Sequence, residues 1–172
     1  MKSALGVVLA LVSVPPSTEA LTRPPRPDPC VLGALVVAEQ VAEGRTVFDG
    51  VDARVGFLFE AGRGRLPATI RASIARRPPV NLFQACPTLA EHLPLGARMA
   101  TAQDLFDASS ASKRADVYIT VLSAPVFDRQ GVAAAVSTHS YCAGLCGYGR
   151  LYLYSAKAGR WTRGEPLASM VS

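Results

Sequence analysis

The feature that most constrains this chain is the segment Ser140-Tyr-Cys-Ala-Gly-Leu-Cys-Gly-Tyr-Gly149, set between stretches that alternate in hydrophobicity. Gly144, Gly147 and Gly149 imply backbone positions at positive φ, and Cys142 and Cys146 are held close by the short connection between them. Before it, Asp116 to Ser123 alternates Val117, Ile119 and Val121 against Tyr118, Thr120 and Leu122. Asp128-Arg129-Gln130-Gly131 then supplies turn residues, and Val132 to Ser140 reads as a second strand. After it, Leu151 to Ser155 alternates again, Lys157-Ala158-Gly159 makes a turn, and Arg160 to Thr162 begins a last strand around Trp161. The pattern predicts an antiparallel meander clamped at its Cys-Gly loop.

The first half reads differently. Asp28 is placed to cap a helix, Pro29 to start it and Gly44 to end it, and the run from Cys30 is apolar nearly all round as far as Glu39. Such a helix packs against a sheet rather than lying on the surface. Arg54 to Glu60 places Val55, Phe57 and Phe59 on one side, which predicts a strand. Ala61 to Arg65 is a loop, Pro67 to Arg77 a short amphipathic helix, Leu82 to Leu95 a mixed loop or one turn of helix, and Asp104 to Ser110 another short helix. The expected fold class is α+β, with helices packed on one face of an antiparallel sheet that ends in a C-terminal β-meander.

Met1 to Ala20 has the layout of a secretory signal peptide: Lys2, an apolar run from Ala4 to Val14, and small Thr18 and Ala20 before the cleavage point. The apolar run is 11 residues, short of the roughly 20 that a spanning helix needs, so no transmembrane helix is expected in the mature form. Leu21 to Pro29 holds a proline-rich extended arm, and Cys30 to Val171 a single globular domain. The expected location is periplasmic or secreted. There, four cysteines favour two disulfides, Cys142 with Cys146 and Cys30 with Cys86. The long-range bridge contributes about 4 kcal/mol by chain entropy.

The formal charge of +5 rests on 15 Arg against 3 Lys, which permits acidic partners electrostatically. Without a nucleic-acid motif, and with export expected, nucleic acid is not a predicted partner. Arg63 with Arg65, and Arg76 with Arg77, form an anion-binding patch only if their loops meet. The latter pair is explained by a helix C-terminus without a ligand.

Catalytic signals are sparse. There is no G-x-S-x-G elbow and no G-x-x-x-x-G-K-[ST] loop, and the glycines of the Cys-Gly segment lead into a strand, where no helix N-terminus could hold a phosphate. His92 and His139 are the two histidines. A metal site of His139, Cys142 and Cys146 would need a distant ligand such as His92, and a redox dithiol would depart from C-x-x-C spacing. Asp49 and Asp52 flank Gly50 as turn residues. No catalytic residue, metal or cofactor is assigned. The candidate binding residues are Gly144, Gly147, Tyr148 and Gly149.

The succession from Ser123-x-Pro-x-Phe127-Asp128 through C-A-G-L-C-G-Y-G to Gly159-Arg160-Trp161 resembles a group of small bacterial exported proteins of uncharacterised activity. These carry a C-G-x-L-C-G-x-G loop and a Gly-x-Trp hairpin. The likeness covers about Asp116 to Thr162, with Ala143 where the group often has glycine, and it implies an envelope or secreted protein. The functional expectation is a non-catalytic domain that binds a protein partner or a small ligand in the cell envelope, over the sheet face and the Cys-Gly loop. The alternative is a thiol-redox or hydrolase-like enzyme using His139, Cys142 and Cys146.

Overall fold

The computed structural model describes residues 27–51, 54–110, 118–143 and 146–171. The leader, the arm before Pro27, and Gly144 lie outside the described residues. Among those described there are six α-helices and a seven-stranded, mostly antiparallel sheet.

Helix α1 spans Pro29–Ala42 and begins as its sequence predicts: the Asp28 carboxylate accepts the Cys30 N–H at 2.8 Å, and Pro29 is the first helical residue. It ends at Gly44, which sits at φ +84°, a conformation open to glycine at little cost. Strand β1 (Val47–Asp49) follows, and then a 3-10 turn, Arg54–Gly56, runs directly into α2 (Phe57–Ala61). The strand expected over 54–60 is therefore helical. Val55, Leu58 and Phe59 are buried while Phe57 is 59% exposed, so the chain follows i, i+3, i+4 spacing and the apparent alternation of Val55, Phe57 and Phe59 is incidental.

Helices α3 (Ala68–Arg76), α4 (Leu82–Ala85) and α5 (Pro87–Glu91) follow, then strand β2 (Arg98–Met99) and helix α6 (Ala102–Ser109). The segment 82–95, read as loop or a single turn, thus holds two short helices. Asn81 caps α4 by accepting the Phe83 N–H at 2.9 Å. Thr101 and Asp104 form a reciprocal capping box on α6, and Arg98 binds both Asp104 carboxylate oxygens, at 2.5 and 2.8 Å.

The remaining strands are β3 (Ile119–Leu122), β4 (Val126–Phe127), β5 (Ala133–Cys142), β6 (Cys146–Lys157) and β7 (Arg160–Val171). The sheet order is β2-β1-β3-β5-β6-β7, with β4 also paired to β5. The meander is present as β5, β6 and β7, while β1 runs parallel to β2 and to β3. That parallel corner was not legible: β1 has three residues and β2 two, too few for a period to show.

Side chains alternate across a strand, and in β5 and β6 both sets are covered. Ala134, Val136, Tyr152 and Tyr154 pack with Leu32, Val36 and Val37 of α1 and Leu82 and Phe83 of α4. Ala135 and Leu151, of opposite parity, pack with Leu58 and Phe59 of α2 and Ile70 of α3. Helices therefore cover both faces of the sheet, not one. Apolar side chains stand on both faces of β5 and β6, so each face needs a helical cover.

Both expected cysteine pairs form, each with its Cα atoms 5.6 Å apart, inside the disulfide range. Cys30–Cys86 ties the start of α1 to the α4–α5 junction. Cys142–Cys146 closes the end of the β5–β6 hairpin, where the two residues lie directly opposite in the ladder.

Candidate functional site

The register of the sheet sets Asp49, Val121, His139, Gly149 and Met170 side by side across β1, β3, β5, β6 and β7. Two residues along, Val47, Ile119, Tyr141 and Gly147 form a second row. Both rows lie on the face covered by α2, and over them opens a pocket of about 450 Å³. Val121, Ser137, His139 and Tyr141 make its floor. Val55, Phe57 and Leu58 form one wall, Ala108 of α6 another, and Met170 and the Cys142–Cys146 disulfide close its edges.

Gly149 determines how closely the wall approaches the floor. A Cβ on this residue would lie 2.8 Å from Leu58 Cδ1 and 3.4 Å from the His139 ring. The bare backbone therefore lets Leu58 descend onto the sheet beside His139. Ser137 ties wall to floor, its hydroxyl donating to the Val55 carbonyl at 2.9 Å.

The polar end of the pocket is built from three elements. The Tyr141 hydroxyl donates to Asp49 Oδ2 at 3.0 Å, and Asp49 Oδ1 accepts the Val51 N–H at 2.7 Å. Asn81 fixes the same strand end by donating to the Asp49 carbonyl at 2.9 Å. The His139 and Tyr141 rings have centroids 6.0 Å apart. Asp49 is 5% exposed, and these bonds give its buried carboxylate the partners it needs.

The candidate binding residues divide between the two faces. Gly149 lies under the pocket, and Gly147 shares its side by strand alternation. Tyr148 points the other way, where its hydroxyl accepts from Arg45 Nε. Gly144 is outside the described residues. Tyr152 and Tyr154 share the α1 face with Tyr148, while Tyr141 lines the pocket opposite.

The other candidates have local explanations. His92 at the end of α5 contacts the Thr88 carbonyl through Nδ1 at 2.9 Å. Arg63 pairs with Glu60 at 3.2 Å, and Arg65 donates to the Leu167 carbonyl at 2.9 Å. Cys142 and Cys146 are bonded to each other. Among the described residues no group of three or more His, Cys, Asp or Glu side chains is placed to hold a metal ion. No helix there is long and apolar enough to cross a membrane.

Sequence reasoning missed Asp49 as a partner of the site, and Phe57 and Leu58 as its wall. The Asp49–Tyr141 contact spans 92 residues and depends on a parallel pairing that short strands do not announce. The wall had its signal in the 55, 58, 59 spacing. No protein-family model matches the chain, and neither a curated protein nor a solved structure matches it.

Proposed function

We propose that this chain is an exported, non-catalytic domain whose pocket over the sheet takes a small, largely apolar molecule. The observation that carries this reading is the pocket itself. Its walls of Val55, Leu58, Ala108, Val121 and Met170, with polar groups gathered at the Tyr141 and His139 end, have the composition and size of small-molecule sites. The floor is rigid, because five strands and a disulfide hold it, and preorganisation of this kind limits the ordering cost of binding. The Met1 to Ala20 layout, the two cysteine pairs and the resemblance to small exported proteins support a periplasmic or secreted location.

The test uses disulfide-bonded protein recovered from the exported fraction and the neutral fluorescent probe N-phenyl-1-naphthylamine. A saturable, one-to-one rise in emission is expected. It should be lost in Met170→Trp and in Val121→Phe, which fill the pocket from its edge and its floor, with both variants retaining the native circular-dichroism spectrum. Absence of saturable binding, or binding that both filled variants retain, would sink the reading.

A second reading rests on one observation: His139, Cys142 and Cys146 border the same pocket, as a thiol-exchange site would need. The double substitution Cys142→Ser with Cys146→Ser separates the two. Under the binding reading it lowers stability and leaves probe affinity within a few fold. Under the redox reading it abolishes turnover of a disulfide substrate and changes stability little.

A further inference from the structure

On the opposite face, the C-terminal end of α1 meets β6 and β7 through three arginines, two glutamates and three tyrosines. Arg45 Nη1 binds Gln40 Oε1 at 2.5 Å and Glu43 Oε2 at 2.6 Å, and its Nε donates to the Tyr148 hydroxyl. Arg163 pairs with Glu43 at 2.7 Å and Glu39 at 3.3 Å. The Tyr154 hydroxyl donates to Glu39 at 2.7 Å. Both glutamates are thereby taken, and both arginines are explained as counter-ions to acids at a helix end that itself favours cations.

Arg150 is left over. It is exposed, and its contacts among the described residues are one bond from Nη1 to the Tyr152 hydroxyl at 3.2 Å and the Tyr148 ring, 6.0 Å from its guanidinium carbon. No carboxylate lies within ion-pair distance of it there. The surrounding donors are also in excess. The Tyr148 and Tyr152 oxygens each accept from an arginine, and among the described residues neither hydroxyl proton has an acceptor. The amide nitrogen of Gln40, whose Oε1 accepts from Arg45, is buried and also has no acceptor among the described residues. Among the described residues three arginines face two glutamates, which leaves one positive charge in surplus, and Glu43 acts on Arg150 only as a charge beyond ion-pair distance.

We propose that this face carries a carboxylate-binding site centred on Arg150 and flanked by the Tyr148 and Tyr152 hydroxyls. The Nε and Nη2 fork of Arg150 suits a planar carboxylate taken through two parallel bonds. The single surplus charge matches a carboxylate rather than a dianionic phosphate. The carboxylate belongs to a small molecule or to an acidic side chain of a polypeptide. The site is independent of the pocket, since it uses the other face of β6.

Titration of the full disulfide-bonded protein, followed through the backbone amide resonances of residues 148–152, which variants at position 150 keep, tests the proposal with acetate, a capped three-residue peptide containing one glutamate, inorganic phosphate and chloride as probes. Saturable shifts are expected with acetate and the peptide. A similar affinity for both assigns the site to free carboxylates, and tighter binding of the peptide assigns it to acidic polypeptides. Arg150→Gln should weaken binding by about tenfold or more, and Arg150→Lys, which keeps the charge and loses the fork, by less. Tighter binding of phosphate, equal response to chloride, or unchanged affinity in Arg150→Gln would overturn it. None of these outcomes bears on emission from the probe in the pocket.

Discussion

Gly147, Gly149 and Leu151 occupy one side of β6, and Tyr148, Arg150, Tyr152 and Tyr154 the other, so a single strand borders two regions of opposite character. On the Gly149 side the sheet meets α2 across small and apolar groups, and a pocket stays open. On the Tyr154 side it meets α1 through hydroxyls and guanidiniums over a closed core of Leu32, Val36 and Phe48. Aromatic bulk fills the space between α1 and the sheet, whereas glycine lets Leu58 close part of the gap and leaves the rest vacant. Alternation along β6 thus divides the sheet into a side specialised for cohesion and a side with room for a ligand.

This contrast predicts unequal costs for truncation. Tyr154 is fully buried in the α1 core, and Tyr154→Ala should cost about 3–5 kcal/mol by removing that volume and one of the two partners of Glu39, the other being Arg163. Leu58→Ala should cost about 2 kcal/mol, at the low end for leucine, because one flank already faces a void. It should also loosen probe binding. Urea unfolding monitored by circular dichroism gives both values, and equal costs would abolish the distinction between the faces.

The disulfides sharpen the comparison. Cys30–Cys86 spans a sequence separation of 56 on the cohesive side, and Cys142–Cys146 a separation of 4 at the pocket. Chain entropy alone gives about 4 kcal/mol for the first and about 2 kcal/mol for the second. Paired serine substitutions at Cys30 and Cys86 should therefore lower the urea midpoint more than those at Cys142 and Cys146. The reverse order would mean that the pocket end holds the fold together.

The cohesive side was the more legible in the sequence. Asp28, Pro29 and Gly44 mark the ends of α1 by local chemistry, and Tyr152 with Tyr154 declare a shared face by spacing alone. Both cysteine pairs followed from compartment and separation. The pocket was largely hidden because its parts come together only through register: Asp49 reaches Tyr141 by a parallel pairing of very short strands. Its wall was further concealed because Val55, Phe57 and Phe59 imitate a strand, and only the burial of Leu58 shows that the period is helical. A site assembled from distant short elements leaves little periodic trace, whereas a capped helix and a long hairpin leave a strong one.

The smallest expected effect is a dependence on pH that belongs to the cohesive side. Burial works to raise the Glu43 carboxyl, but the hydrogen bonds and charges of Arg163 and Arg45 outweigh it and hold the group below the usual carboxylate range. A carboxyl lowered in the folded state stabilises above its unfolded value, near 4.5, and that stabilisation is lost as pH falls through the folded value. Glu43→Gln should therefore cost under about 1 kcal/mol at neutral pH and flatten the decline in stability below pH about 4.5. Asp104, held low by hydrogen bonds from Arg98 and then Thr101, keeps part of that decline in place. At the alkaline end, burial, followed by the bond to Glu39 and its charge, raises the Tyr154 hydroxyl far above its ordinary value of 10. The folded protein then keeps a proton that the unfolded chain releases, so stability falls as pH rises past about 10. Tyr154→Phe should remove part of that fall, and melting temperatures measured from pH 3 to 11 would show both limbs. A pH profile unchanged by either substitution would mean that the arginine and tyrosine network adds no cohesion of its own and that the apolar core beneath it holds α1 to the sheet.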